Sequence, residues 1–233
     1  MRANILGFVT IAVMNLSTVA WADTAADCER LSDAEDWEKA FVVCASPAEK
    51  GDADAQFYLG WMYMDGTGVV QNSAEAARWF KLAAEQGDSF AQYNLGSLYA
   101  NGDGVMQDYT EAVRWYKLAA EQGDIDAHNN LGVMYERGDG VAQDYTEAVR
   151  WYKLAAEQGL ALAQFNIGLM YEDGTGVVQN YVAAHMWYNL AGANGSETAS
   201  KSRDLIAKDM TPEQIAEAQQ RAQACLENNY KNC

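Results

Sequence analysis

The sequence predicts an all-α chain, a solenoid of helix–turn–helix repeats. Three observations carry this. Gly60, Gly96, Gly132 and Gly168 recur every 36 residues, and so do Trp79, Trp115, Trp151 and Trp187. Between each such glycine and the tryptophan that follows lies a Gly-x-Gly turn, as in Gly66-Thr67-Gly68 and Gly102-Asp103-Gly104. A fixed period of this length is the mark of identical supersecondary units stacked along one axis.

Residues 88–123 show one unit in full. Ala91, Leu95, Leu98 and Tyr99 fall on one face at helical spacing, and Asp88 is placed to accept the free N–H groups of the first turn. Gly102 and Gly104 end that pattern with backbone angles that other residues resist. Asp108, with Glu111 three residues on, reads as an acidic capping box opening a second helix. Ala112, Trp115, Tyr116, Leu118 and Ala119 give this helix its apolar faces, and Gly123 closes it in the left-handed conformation. Gly96 lies inside the first helix, where glycine costs about 1 kcal/mol relative to alanine. Recurrence at four positions implies a close helix–helix approach, with Ala76, Ala112, Ala148 and Ala184 expected opposite.

The period divides the chain into repeats at 52–87, 88–123, 124–159 and 160–195. Residues 23–51 read as an N-terminal cap and half repeat. Within it Asp36 to Gly51 matches a second helix, Ala40 is in register with Ala76, and Ser32 and Glu35 form a capping box. Residues 196–233 read as capping helices: one from Glu197 to Lys208, and a second opened by Thr211-Pro212-Glu213-Gln214 and reaching about Asn228.

Residues 1–22 read as an export signal. Arg2 precedes a mostly apolar run from Ile5 to Ala20, and Ala20-Trp21-Ala22 is a small-x-small cleavage site. The run is too short and interrupted for a spanning helix, so no stable membrane insertion is expected after cleavage. An exported chain reaches oxidising surroundings, where cysteines pair. Cys28, Cys44, Cys225 and Cys233 flank the repeats, two near each end. Stacked helices advance about 8–10 Å per layer, whereas a disulfide needs Cα atoms within about 7 Å. Pairing is therefore expected within each end, Cys28 with Cys44 and Cys225 with Cys233. Eight residues of helix span about 12 Å, so the tail must leave the helix and turn back for the second pair.

Composition restricts the ligand. The net charge is −17, which repels phosphate backbones, so nucleic acid is an unsuitable partner. No cofactor or metal is expected. The turn glycines lack the lysine and flanking strand of a phosphate loop, Asn101 to Val105 lacks the alternating oxygens of a calcium loop, and Arg137-Gly138-Asp139 is one copy of a repeated loop. His128 and His185 have no partners at ligand spacing and read as surface or interhelix residues.

The pattern Ala-x-x-x-Leu-Gly-x-x-Tyr, Gly-x-Gly-Val, Ala-x-x-Trp-(Tyr/Phe)-x-x-Ala and a closing Gly recurs four times between 52 and 195, with Ile167, Met186 and Asn189 as departures in the last copy. It resembles the Sel-1-like repeat family, relatives of tetratricopeptide repeats. The resemblance implies a right-handed superhelix with the first helix of each repeat on the concave face. Positions that differ between copies are free to serve a partner: Phe57, Tyr93, Asn129 and Phe165; Trp61, Ser97, Val133 and Leu169; Met64, Ala100, Glu136 and Glu172. They lie one turn apart and form a stripe. Asn94, Asn130 and Asn166 sit beside it, and in tetratricopeptide relatives an asparagine at this place binds a peptide backbone.

The expected function is a non-catalytic adaptor of the cell envelope that binds an apolar or basic polypeptide, in the periplasm or after secretion. A secreted effector-like binder of a foreign protein is the alternative. A β-lactamase activity, a label some secreted members of the family carry, would need Ser-x-x-Lys and Lys-Thr-Gly. Neither occurs.

Overall fold

The computed structural model describes residues 24–231 and 233; the expected export signal at 1–22 falls outside them. The described residues form twelve α-helices and a short 3-10 turn, with no strand among them. They are α1 (Ala25–Asp33), α2 (Trp37–Glu49), α3 (Ala53–Asp65), α4 (Ser73–Glu85), α5 (Ser89–Asn101), α6 (Tyr109–Glu121), α7 (Ile125–Arg137), α8 (Tyr145–Ala156), α9 (Ala161–Asp173), α10 (Tyr181–Ala193), α11 (Glu197–Ile206) and α12 (Pro212–Glu227). The pairs from α3/α4 to α9/α10 are hairpins, each stacked on the next, and α12 folds back on α10.

Local chemistry sets the helix ends. Asp52, Asp88 and Asp124 accept N–H groups at the starts of α3, α5 and α7. Gly66, Gly102, Gly138 and Gly174 close the first helices in the left-handed region. Asp108 accepts from the N–H groups of Thr110 and Glu111, but the expected box is only half formed: Glu111 pairs with Arg114 instead. The full box is present at Thr211 and Gln214.

The helix-interior glycines do mark a close approach, though to a different neighbour. A Cβ at Gly132 would lie 2.5, 2.6 and 3.0 Å from ring atoms of Tyr152, and the rings of Phe80, Tyr116 and Tyr188 stand equally close to Gly60, Gly96 and Gly168. The ring of the aromatic residue after each tryptophan thus packs against the glycine, and the expected alanine partners are corrected to these rings. A second set of glycines joins repeats. Gly104 of the turn presses on the backbone of Ser73 at the start of α4, leaving no room for a side chain. Trp79, Trp115 and Trp187 are buried and Trp151 is half-buried. Arg78, Arg114 and Arg150 lie over the rings of Trp79, Trp115 and Trp151.

The ends differ from expectation in one respect. α1 is a helix that the repeat pattern did not reveal, and it completes a hairpin with α2. Ser32 is buried inside α1, while Asp36 stands at the α2 N-terminus, so no capping box forms there. Cys28 and Cys44 are bonded across this hairpin, with Cα atoms 4.8 Å apart. Cys225 and Cys233 are bonded with Cα atoms 5.3 Å apart. The tail turns back through Asn229 and Tyr230, both at positive φ, and the Tyr230 hydroxyl donates to Asn194.

Candidate functional site

First helices of successive repeats touch one another directly: the Phe57 and Phe90 rings of α3 and α5 lie 5.9 Å apart, and Asn166 of α9 donates to Asn129 of α7 at 3.2 Å. These contacts make α3, α5, α7 and α9 one layer, the layer that the repeat resemblance leads one to expect on the inner curve.

This inner layer is acidic. It carries Asp54, Asp65, Asp126, Glu136, Glu172 and Asp173 against one base, Arg137. The second helices are balanced: Arg78, Arg114 and Arg150 pair with Glu75, Glu111 and Glu147 three residues earlier. The bases of the repeats therefore lie almost wholly on the outer helices. Tyr58 feels the difference, its pKa raised by burial and then by the carboxylates of Asp33, Glu29, Asp54 and Asp88. Tyr93 is raised by burial and by Asp126 and Asp124.

The stripe residues fall in several settings. Phe57, Trp61, Tyr93 and Phe165 are half-buried. Phe57, Tyr93 and Phe165 lean on the hairpin rings of Phe80, Tyr116 and Tyr188, and Trp61 packs against Trp37 of α2 with ring centroids 4.8 Å apart. Each has one side committed to the scaffold and part of its surface left accessible. Asn129 is only 4% exposed and is tied to Asn130 and Asn166. Asn94 donates to the carbonyl of Phe90, and the Asn130 side chain is hydrogen-bonded to Tyr93 and Tyr116. Burial pushes Tyr116 to about 12, partly offset by that bond. An amide has two donors and two acceptor lone pairs, so the single internal bond of Asn94 leaves capacity for a ligand, whereas Asn130 is largely engaged by Asn129, Tyr93 and Tyr116. Glu136 and Glu172 accept from the hydroxyls of Tyr152 and Tyr188, which fixes two carboxylates at the margin of the face. Between α7 and α9 a hollow of about 110 Å³ is lined by Glu136, Asn166, Leu169 and Asp173.

Two features went unread in the sequence. One is a further variable position on the same stripe, one turn before the first set: Asp54, Phe90, Asp126 and Leu162. Phe90 is 62% exposed and Leu162 54%. Comparing copies would have found it, since Asp, Phe, Asp and Leu differ as much as the positions that were compared. The other is a chain of side-chain amides inside the stack. Gln56 donates to the carbonyl of Ala48 and accepts from Gln86; Gln92 does the same with Ala84 and Gln122; Gln164 with Ala156 and Asn194. In the third copy His128 occupies the place. It is buried, its Nδ1 has no partner, and Gln158 turns to the carbonyl of Leu154.

The Sel1 repeat model matches at residues 53–88, 89–124, 125–160 and 161–196. The chain belongs to the Sel1 repeat family. Sel1 repeat proteins generally mediate protein–protein interactions and are generally non-catalytic scaffolds. A Sel1 repeat protein of Oxalobacter formigenes is 36% identical, with 90% of this chain and 88% of that one covered and a TM-score of 0.74. A protective antigen of uropathogenic Escherichia coli is 33% identical, with a TM-score of 0.77. The match takes in 90% of this chain, which spans about half the length of that antigen, 50% of it. An immunity protein of Pseudomonas aeruginosa shares the fold at 20% identity, with 88% and 80% coverage and a TM-score of 0.50. No curated protein matches the chain.

Among the described residues no group of His, Cys, Asp or Glu is arranged to hold a metal ion, and no helix is long and apolar enough to cross a membrane.

Proposed function

We propose that this Sel1 repeat chain is an exported, non-catalytic adaptor of the cell envelope that holds a polypeptide partner on its concave face. One observation carries the reading: the inner helices present rings and aliphatic side chains within an unbalanced acidic field, while the bases of the repeats sit on the outer helices. Such a surface favours an apolar, basic segment and opposes nucleic acid. Export rests on the signal-like residues 1–22 and fits the two disulfides.

A photocrosslinking residue placed at Ser97 on the inner face, and in a second variant at Arg114 on the outer face, tests it in intact cells. Capture of a discrete protein from position 97, lost when Phe90 and Leu162 are both changed to serine, is the expected result. Capture from position 114 alone would overturn it. Fractionation of the same cells distinguishes a periplasmic adaptor from a secreted binder of foreign protein.

A further inference from the structure

We propose that the inner face reads its partner in register, one anchor per repeat. The occupant is an extended segment of the polyproline II type that sets a cation on Asp54, an apolar side chain on Phe90, a cation on Asp126 and an apolar side chain on Leu162. The proposal rests on the reading of the inner face as the docking surface.

The four anchors occupy the same place in successive repeats, at the beginning of α3, α5, α7 and α9. All four are exposed. Their chemistry alternates along the stack: carboxylate, ring, carboxylate, aliphatic. Neither Asp54 nor Asp126 is in a salt bridge among the described residues, although other acids of the repeats are paired. Each is thus a surface charge with no counter-charge from its own chain. Phe90 and Leu162 are large apolar groups left in water beside half-buried rings.

Spacing selects the conformation of the guest. First helices of successive repeats touch, and helices in contact lie about 8–10 Å apart. A polyproline II segment has three residues per turn and rises about 3.1 Å per residue, so every third side chain returns to the same face after about 9 Å. A β-strand alternates faces with period two and would turn every second anchor away. The pattern read out is therefore cation-x-x-apolar-x-x-cation-x-x-apolar, in either chain direction. A polyproline II backbone has no internal hydrogen bonds, so its N–H and C=O groups are available to the remaining amide capacity of Asn94.

Synthetic decapeptides test this against the purified protein by fluorescence anisotropy. One set carries Lys at positions 1 and 7 and Leu at 4 and 10, with Pro and Ser between; a second carries the reversed pattern. A control of identical composition carries Lys at 1 and 4 and Leu at 7 and 10. At least tenfold tighter binding of one in-register peptide than of the control is expected, with Asp54→Lys/Asp126→Lys switching preference to the peptide with Glu in place of Lys. Equal binding of in-register and control peptides, no binding of any of them, or no switch on charge reversal would overturn the register. Equal binding that Phe90→Ser/Leu162→Ser abolishes would leave the inner face as the docking surface. Crosslinks from bound peptide to the second helices would remove that reading as well. A dimer of the protein that no peptide displaces would assign the face to a second copy and overturn the proposal.

Discussion

Replacing Gly132 with alanine sets two known effects against each other. In a helix interior the alanine gains about 1 kcal/mol. Against this, its Cβ would meet three ring atoms of Tyr152 at 2.5, 2.6 and 3.0 Å. Ordinary contact begins near 3.4 Å, so the ring must retreat by roughly 0.5–1 Å, and overpacking of this kind costs about 1–3 kcal/mol. Tyr152 has little room to retreat. It is 1% exposed, and its hydroxyl is anchored on Glu136. The clash should therefore match or exceed the gain, with Gly132→Ala destabilising by up to about 2 kcal/mol net in urea unfolding followed by helical circular dichroism. The contrast is the same substitution on a Tyr152→Ala background. There the ring is gone and only helix propensity remains, so Gly132→Ala should be neutral or stabilising by up to about 1 kcal/mol. A gain in both backgrounds would refute the close-packing argument, since it would mean that the ring yields freely.

The remaining predictions use the same assay unless stated. Gln92→Leu removes one of the partners of the Ala84 carbonyl and of Gln122, which keep the Gly87 N–H and the Gly87 carbonyl respectively, and should cost about 0.5–1.5 kcal/mol per bond lost; no loss would mean that the amide chain contributes nothing to cohesion. Replacing Cys28 and Cys44 by serine together opens a loop closed by a bond of sequence separation 16, with an expected loss of about 3 kcal/mol and earlier proteolysis within α1. Changing Tyr152 to phenylalanine removes a hydrogen bond to the Glu136 carboxylate; stability should fall by about 1.5–3 kcal/mol, and no loss would show that this bond does not hold the carboxylate in place.

The repeats were legible because their signal is local and fourfold. Period, caps and turn glycines all rest on backbone rules that the letters state directly, and the disulfide pairing followed from the length of the stack. What sits opposite a glycine was not legible, because it depends on which way a neighbouring ring turns; Tyr152 and Ala148 lie on the same helix and only packing chooses between them. The first cap helix was missed for a related reason. Cys28 and Ser32 face inward at helical spacing, but they are too few and too polar to stand out as an apolar stripe. At the candidate site, four copies in one chain show which positions vary, and Phe90 and Leu162 belong to a variable position one turn before the aromatic set. Variation between copies could not show that Asn129 is enclosed, since asparagine at a variable position reads the same whether it faces water or a second asparagine.

The third repeat departs from the others in two adjacent residues, and His128 makes the consequence measurable. Where the other copies place Gln, this imidazole stacks on Trp151 with ring centroids 5.7 Å apart, and its Nδ1 is left without a partner. Burial pushes its pKa below the usual 6.5, against the opposing charge of Asp124. The unfolded chain therefore takes up this proton first as pH falls. Stability contributed by the neutral ring is present above pH 6.5 and is lost between 6.5 and the lowered folded value; His185, lowered by burial and by Arg203, acts with the same sign. His128→Gln should do two things. It removes one of the two titrating groups, so the fall in stability between pH 7.5 and 5 becomes shallower. It also supplies an acceptor for Gln158, which should add about 0.5–1.5 kcal/mol at pH 7.5. A variant that unfolds with the same pH dependence as the parent would show that the imidazole is not held neutral by its enclosure, and one no more stable than the parent at pH 7.5 would show that the break in the amide chain at this joint is of no energetic consequence.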